Sequence, residues 1–135
     1  MKKGLKILLA EDNIENQLLI AAYLKGTSHT VVYAENGLIA TNHFKTQAFD
    51  LVLMDLEMPV MNGYEATQRI REHEKRNQKL PTFIYAYSSK SRDDDQNQSL
   101  KAGCDEYITK PVGKKVFLQL LDFVLEKTKE TKEAA

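Results

Sequence analysis

Two short, mainly apolar runs in this chain end in carboxylates: LKILLA (5–10) stops at Glu11 and Asp12, and DLVLMD (50–55) ends on Asp55 itself. A strand buried on both faces reads as a continuous apolar run, because none of its positions faces water. Each acid therefore marks the point where a buried strand reaches a polar edge. TVVYA (30–34), Thr82 to Tyr87 and Glu106 to Thr109 are further strand segments rich in β-formers. Between them the spacing turns helical. Asn13 is suited to cap a helix through Ile14, Leu18, Ala21, Ala22 and Leu24; Leu38, Ile39, Phe44 and Ala48 share a face; Tyr64, Ala66, Thr67 and Ile70 follow the Pro59–Gly63 turn. Asp93 to Ala102 predicts a polar helix stopped by Gly103, and Val116, Leu120, Phe123, Val124 and Lys127 trace a last one. Parallel strands need a crossover over a sheet face, so this alternation implies a parallel sheet covered on both sides, an α/β doubly wound architecture.

The chain's 135 residues fit one domain, expected at 1–129. Residues 130–135 carry too little apolar surface to stay ordered alone, and the charged stretch Arg71 to Lys79 reads as a solvated helix end and loop. Lysine plus arginine and aspartate plus glutamate each total 19, a balance without the broad positive field that holds nucleic acid or an anionic membrane. No direct nucleic-acid partner is expected. No apolar run nears the ~20 residues needed to span a bilayer, and the start MKKGLKILLAED meets acids too early for a signal peptide; the expectation is a cytoplasmic protein with no membrane insertion. Cys104 is single and reads as a small residue packed near a turn, while His29, His43 and His73 fall away from the strand ends.

In open α/β sheets ligands sit outside the carboxyl ends of the strands. Glu11, Asp12, Asp55, Ser88, Ser89 and Lys110 all fall at such ends. Singly, each has an ordinary explanation as a helix cap or a solvated charge. Together they are harder to dismiss, because three clustered carboxylates repel one another and one lysine does not neutralise them. A hard divalent ion is implied, and magnesium favours oxygen ligands shared among carboxylates, waters and phosphate oxygens. A carboxylate can carry an aspartyl-phosphate while a cation and a lysine balance the charge of the transferring oxygens, a role that suits Asp55.

The motifs LLAEDNIENQ (8–17), DLVLMDLEMPVMNGYEAT (50–67) and AGCDEYITKP (102–111) resemble the receiver domains of two-component response regulators, most of all those attached to hybrid sensor kinases, over residues 5–127. The resemblance implies a flavodoxin-like (βα)5 fold with strand order 2-1-3-4-5. It implies magnesium held by Glu11, Asp12, Asp55 and the backbone carbonyl of Glu57. Asp55 would be the phosphoacceptor, served by a sensor histidine kinase or histidine phosphotransfer protein, and Lys110 would pair with a phosphoryl oxygen before a Pro111 whose peptide bond is expected to be cis. Such a domain is not an enzyme beyond its own phosphorylation and dephosphorylation, and a downstream protein would read it through the last two helices and the strand between them. The family's switch hydroxyl falls on Ala86 when counted from Pro81 and on Ser88 when counted back from Gly103 and Lys110. Ser88 is preferred because the chemistry needs a donor. Tyr107 matches the aromatic partner of that switch.

Rival readings use the same parts. A magnesium phosphohydrolase would also form an aspartyl-phosphate, but Glu57 stands where a second aspartate would; a pseudo-receiver would not need the complete acid and lysine set; a flavodoxin would need a Ser/Thr/Gly-rich phosphate loop after the first strand. One finer expectation concerns Glu57 and Lys90, each two residues beyond a site residue: an exposed ion pair between them would slow loss of phosphate, within about an order of magnitude in rate.

Overall fold

The computed structural model describes residues 4–89 and 93–134, with side chains through 131. Five strands, β1 (Lys6–Ala10), β2 (Thr30–Ala34), β3 (Leu51–Met54), β4 (Phe83–Ser88) and β5 (Glu106–Thr109), alternate with helices α1 (Ile14–Leu24), α2 (Gly37–Thr46), α3 (Gly63–Arg76), α4 (Asp93–Ala102) and α5 (Lys114–Ala134). All strand pairs are parallel and the order is β2-β1-β3-β4-β5, as the resemblance implied. The chain order reverses at β1, so β1 and β3 are neighbours and their carboxyl ends form the crevice where such sheets bind ligands.

Strand alternation divides the core in two. Leu8, Ala10, Val52, Met54, Ile84 and Ala86 face Phe44 of α2 and Ala66 and Ile70 of α3. Ile7, Leu9, Leu51, Leu53, Tyr85 and Tyr87 face Ile20 and Leu24 of α1 and Phe117, Leu121 and Val124 of α5. α1, α2 and α3 start at Asn13, Asn36 and Asn62, whose side chains accept the amides of Asn16, Ile39 and Glu65 and satisfy otherwise orphaned helix donors.

Three features were not legible from spacing. α5 presents Phe117, Leu121 and Val124 to the sheet and leaves Val116 and Phe123 exposed; in α1, Ile14 and Leu18 are exposed. Both helices carry apolar residues on more than one face, so spacing alone cannot select the buried one. The stretch Arg71–Lys79 is not simply solvated. Glu74 is buried, and Arg71 donates to Glu74, to the carbonyls of Thr82 and Gly103 and to Asp105, tying α3 to the base of β4 and the turn before β5. Finally, α5 runs to Ala134, with Thr131 Oγ1 donating to the carbonyl of Lys127 and Lys127 3.4 Å from Glu130. An established helix adds residues more easily than it nucleates them, so polar residues can extend it.

Candidate phosphoacceptor site

The hydrogen-bonded rows of the sheet position the site. One row runs Ala34, Ala10, Met54, Ala86 and Tyr107. The next residue on each strand brings Glu11, Asp55 and Tyr87 alongside one another, with the Glu11 amide on the Ala34 carbonyl at 2.8 Å and the Asp55 amide on the Ala10 carbonyl at 3.0 Å. The β1–β3 adjacency thus places two acids that lie far apart in sequence side by side.

Glu11 is fully buried, Asp55 is 6% exposed and Asp12 is exposed at the rim. Carboxylate oxygens of all three lie within 4.8 Å of one another, an all-oxygen set that fits a hard divalent cation. Lys110 Nζ reaches in from the end of β5, 2.5 Å from Glu11 Oε1 and 3.3 Å from Asp55 Oδ2. The peptide bond between Lys110 and Pro111 is cis. The Glu57 amide donates to Asp55 Oδ1 at 3.2 Å.

Burial pushes the Asp55 carboxyl up to about 7; Lys110 opposes the shift, Glu11 adds to it, and the Glu57 amide lowers it again. Burial also pulls Lys110 down, but its bonds to Glu11 and Asp55 outweigh that and leave it above the ordinary lysine value. The two directions agree once the distances are considered. Lys110 is committed first to Glu11, so Asp55 receives only part of its attraction.

Ser88 is buried as the last residue of β4, where Lys110 N donates to its carbonyl at 2.8 Å. It follows Ala86 along the strand face that carries Tyr107, and Tyr107 is half-buried against that core. Ala86 lies one pleat deeper, fully buried in the sheet, and Ser88 is the β4 residue at the carboxyl edge. Lys90, and with it the expected pairing with Glu57, lies outside the described residues.

Sequence reasoning passed over two features. Gly63 N donates to the Leu56 carbonyl, and a Cβ on Gly63 would fall inside contact distance of the Asp55 carbonyl oxygen. Glycine is required there because the start of α3 presses on the loop that carries Asp55. Gly63→Ala is expected to lose about 1–3 kcal/mol of stability in denaturant titrations, the scale of overpacking. The other is Tyr87, whose ring lies beneath Lys110 Nζ at 5.0 Å from its centroid. The aromatic run in β4 was visible; its contact with β5 was not.

The sequence profile of the response regulator receiver domain matches residues 7–122. This chain is a response regulator receiver domain. A segment of the sensor histidine kinase GacS of Pseudomonas protegens is 34% identical over 116 residues, covering 86% of this chain and 13% of that protein. The receiver thus spans about one-eighth of the length of that relative. Among solved structures, the receiver domain of Saccharomyces cerevisiae Ssk1, in complex with the histidine phosphotransfer protein Ypd1, has a TM-score of 0.83 at 30% identity, covering 90% of this chain and 88% of that one. The receiver of Pseudomonas aeruginosa sensor kinase PA1611, with a magnesium ion coordinated in its active-site cleft, has a TM-score of 0.80 at 32% identity, covering 91% and 98%. This receiver is a module of the two-component and phosphorelay class. No helix among its described residues is long and apolar enough to cross a membrane.

Proposed function

We propose that this receiver accepts a phosphoryl group on Asp55 from the phosphohistidine of a sensor kinase or histidine phosphotransfer protein, and that a downstream protein reads the change at α4, β5 and α5. The observation that carries the reading is the convergence of buried Asp55 and half-buried Lys110 beside Glu11 and Asp12 at the carboxyl edge of the sheet.

A carboxylate oxygen of Asp55 attacks phosphorus, the P–N bond of the phosphohistidine breaks, and the imidazole leaves with the bonding pair. Lys110 turns from Glu11 toward a phosphoryl oxygen, and the Glu57 amide holds the other oxygen of Asp55. Asp12 and Asp55, Glu11 through water and the Glu57 carbonyl would hold magnesium, which when bound supplies positive charge against the phosphoryl oxygens. The domain catalyses only its own phosphorylation and dephosphorylation and works in the cytoplasm. Two features support a protein donor. Ile14 and Leu18, 63% and 62% exposed, form an i, i+4 apolar pair on the helix that follows Glu11 and Asp12; and the Ssk1 receiver was solved with Ypd1. Exposed Leu100, Val116 and Phe123 support a reading surface on α4 and α5.

Acetyl phosphate with magnesium is expected to raise the intact mass by one phosphoryl group in the wild type and not in Asp55→Asn. Label on Asp55→Asn, or on Ser88, rejects the assignment. Steady turnover of small phosphate esters would point to a phosphohydrolase instead. Ser88→Ala is expected to take phosphate while losing most of the phosphate-dependent change in the Tyr107 ring resonances, since Ser88 is the donor that shifts the population toward the phosphorylated state. An undiminished Tyr107 response would reject that coupling.

A further inference from the structure

We propose that Tyr87 is a positioning residue for Lys110, its ring face holding the ammonium in place while the lysine changes its hydrogen-bonding partner. This rests on the phosphoacceptor reading. Tyr87 is 1% exposed and lies in the same row as Glu11 and Asp55, on the sheet face covered by α1 and α5. Lys110 Nζ lies over its ring, 5.0 Å from the centroid, while contacting Glu11 and Asp55. The ring is itself buried in the core under α1 and α5. Its hydroxyl, buried and without a hydrogen bond of good geometry among the described residues, lies beside the Val112 backbone, whose carbonyl accepts Tyr23 Oη at 2.8 Å; Tyr23 in turn packs on Phe117, centroids 5.7 Å apart.

Lys110 must leave Glu11 when a phosphoryl oxygen arrives, and a half-buried ammonium between hydrogen bonds is costly. A π face attracts a cation without fixing the direction of its N–H bonds, so it keeps its hold through the turn. Core filling alone would ask only for an apolar side chain of similar size. The cation–π role asks for an electron-rich ring.

The test compares wild type, Tyr87→Phe and Tyr87→Leu, with fluorinated phenylalanines at position 87 as a graded series. At saturating acetyl phosphate, Tyr87→Phe is expected to label within about twofold of wild type and Tyr87→Leu about tenfold slower, the scale of a desolvated cation–π contact. The magnesium concentration for half-maximal labelling should not move, because no proposed ligand is altered. Rates should fall with each added fluorine. In unphosphorylated protein the ε-methylene protons of Lys110 should be ring-current shifted in wild type and Tyr87→Phe but not in Tyr87→Leu. Wild-type labelling by Tyr87→Leu, a flat fluorine series, or a Lys110 resonance indifferent to the ring each overturns the proposal. If Tyr87→Leu does not fold, the fluorinated series decides alone. If wild type takes no phosphate, the phosphoacceptor reading fails, and the Lys110 resonance still decides whether Tyr87 positions the lysine.

Discussion

Asp12→Ala is expected to lose magnesium affinity by at least about 100-fold, beyond the 10- to 100-fold typical of removing an outer-shell partner, and to lose phosphorylation with it. Lys110 is committed to Glu11 and Asp55, and Asp12 has no cation among the described residues. It stands exposed at the rim, where a hydrated ion can be met without stripping all its water. The exposure also makes the result clean. Asp12 supports no core contact, so its removal should change the stability of the metal-free protein by no more than about 0.5 kcal/mol. Calorimetric titration with magnesium, together with thermal unfolding in chelator, measures both. Unchanged affinity in Asp12→Ala would move the metal elsewhere, and a large loss of stability would mean that Asp12 serves the fold.

Asp55→Asn is expected to stabilise the metal-free protein by about 2–4 kcal/mol at pH 8, the free energy of holding ionised a carboxylate that burial pushes up to about 7. The sign follows from the direction of the shift. The folded carboxyl titrates at about 7 against an ordinary value of 3.8. Between those values the unfolded chain has already released the proton that the folded chain retains, so rising pH favours unfolding. Wild-type stability should therefore fall as pH rises through the ordinary carboxylate range and level off above about 7. Asp55→Asn removes this slope, and its advantage should shrink toward pH 4. Magnesium should stabilise wild type by binding the folded state, and Asp55→Asn far less. Chemical denaturation at pH 5 and pH 8, in chelator and in magnesium, gives the four values needed. A variant no more stable than wild type at pH 8 would mean that Lys110 already neutralises Asp55.

The same residues show where sequence stops being enough. Strand against helix was legible because periodicity is local, and the chemistry was legible because acids and a lysine closed apolar runs: Glu11, Asp12, Asp55 and Lys110 needed no coordinates to be singled out. Ser88 needed a count from two directions, and β4 in the structure extends to Ser88. The structure alone decided the choices made between distant segments. Ile14, Leu18, Val116 and Phe123 are as apolar as their buried neighbours, and only the docked sheet determines which face of α1 and α5 is covered. Arg71 and Glu74 looked solvated until the base of β4 and the turn before β5 supplied partners. Lys110 bonds Glu11 more closely than Asp55, and rests on Tyr87, because β1, β3, β4 and β5 end at one edge. Residue type and spacing set what a segment can form; which segments meet is set by burying all their apolar faces at once, and that requirement belongs to the whole chain.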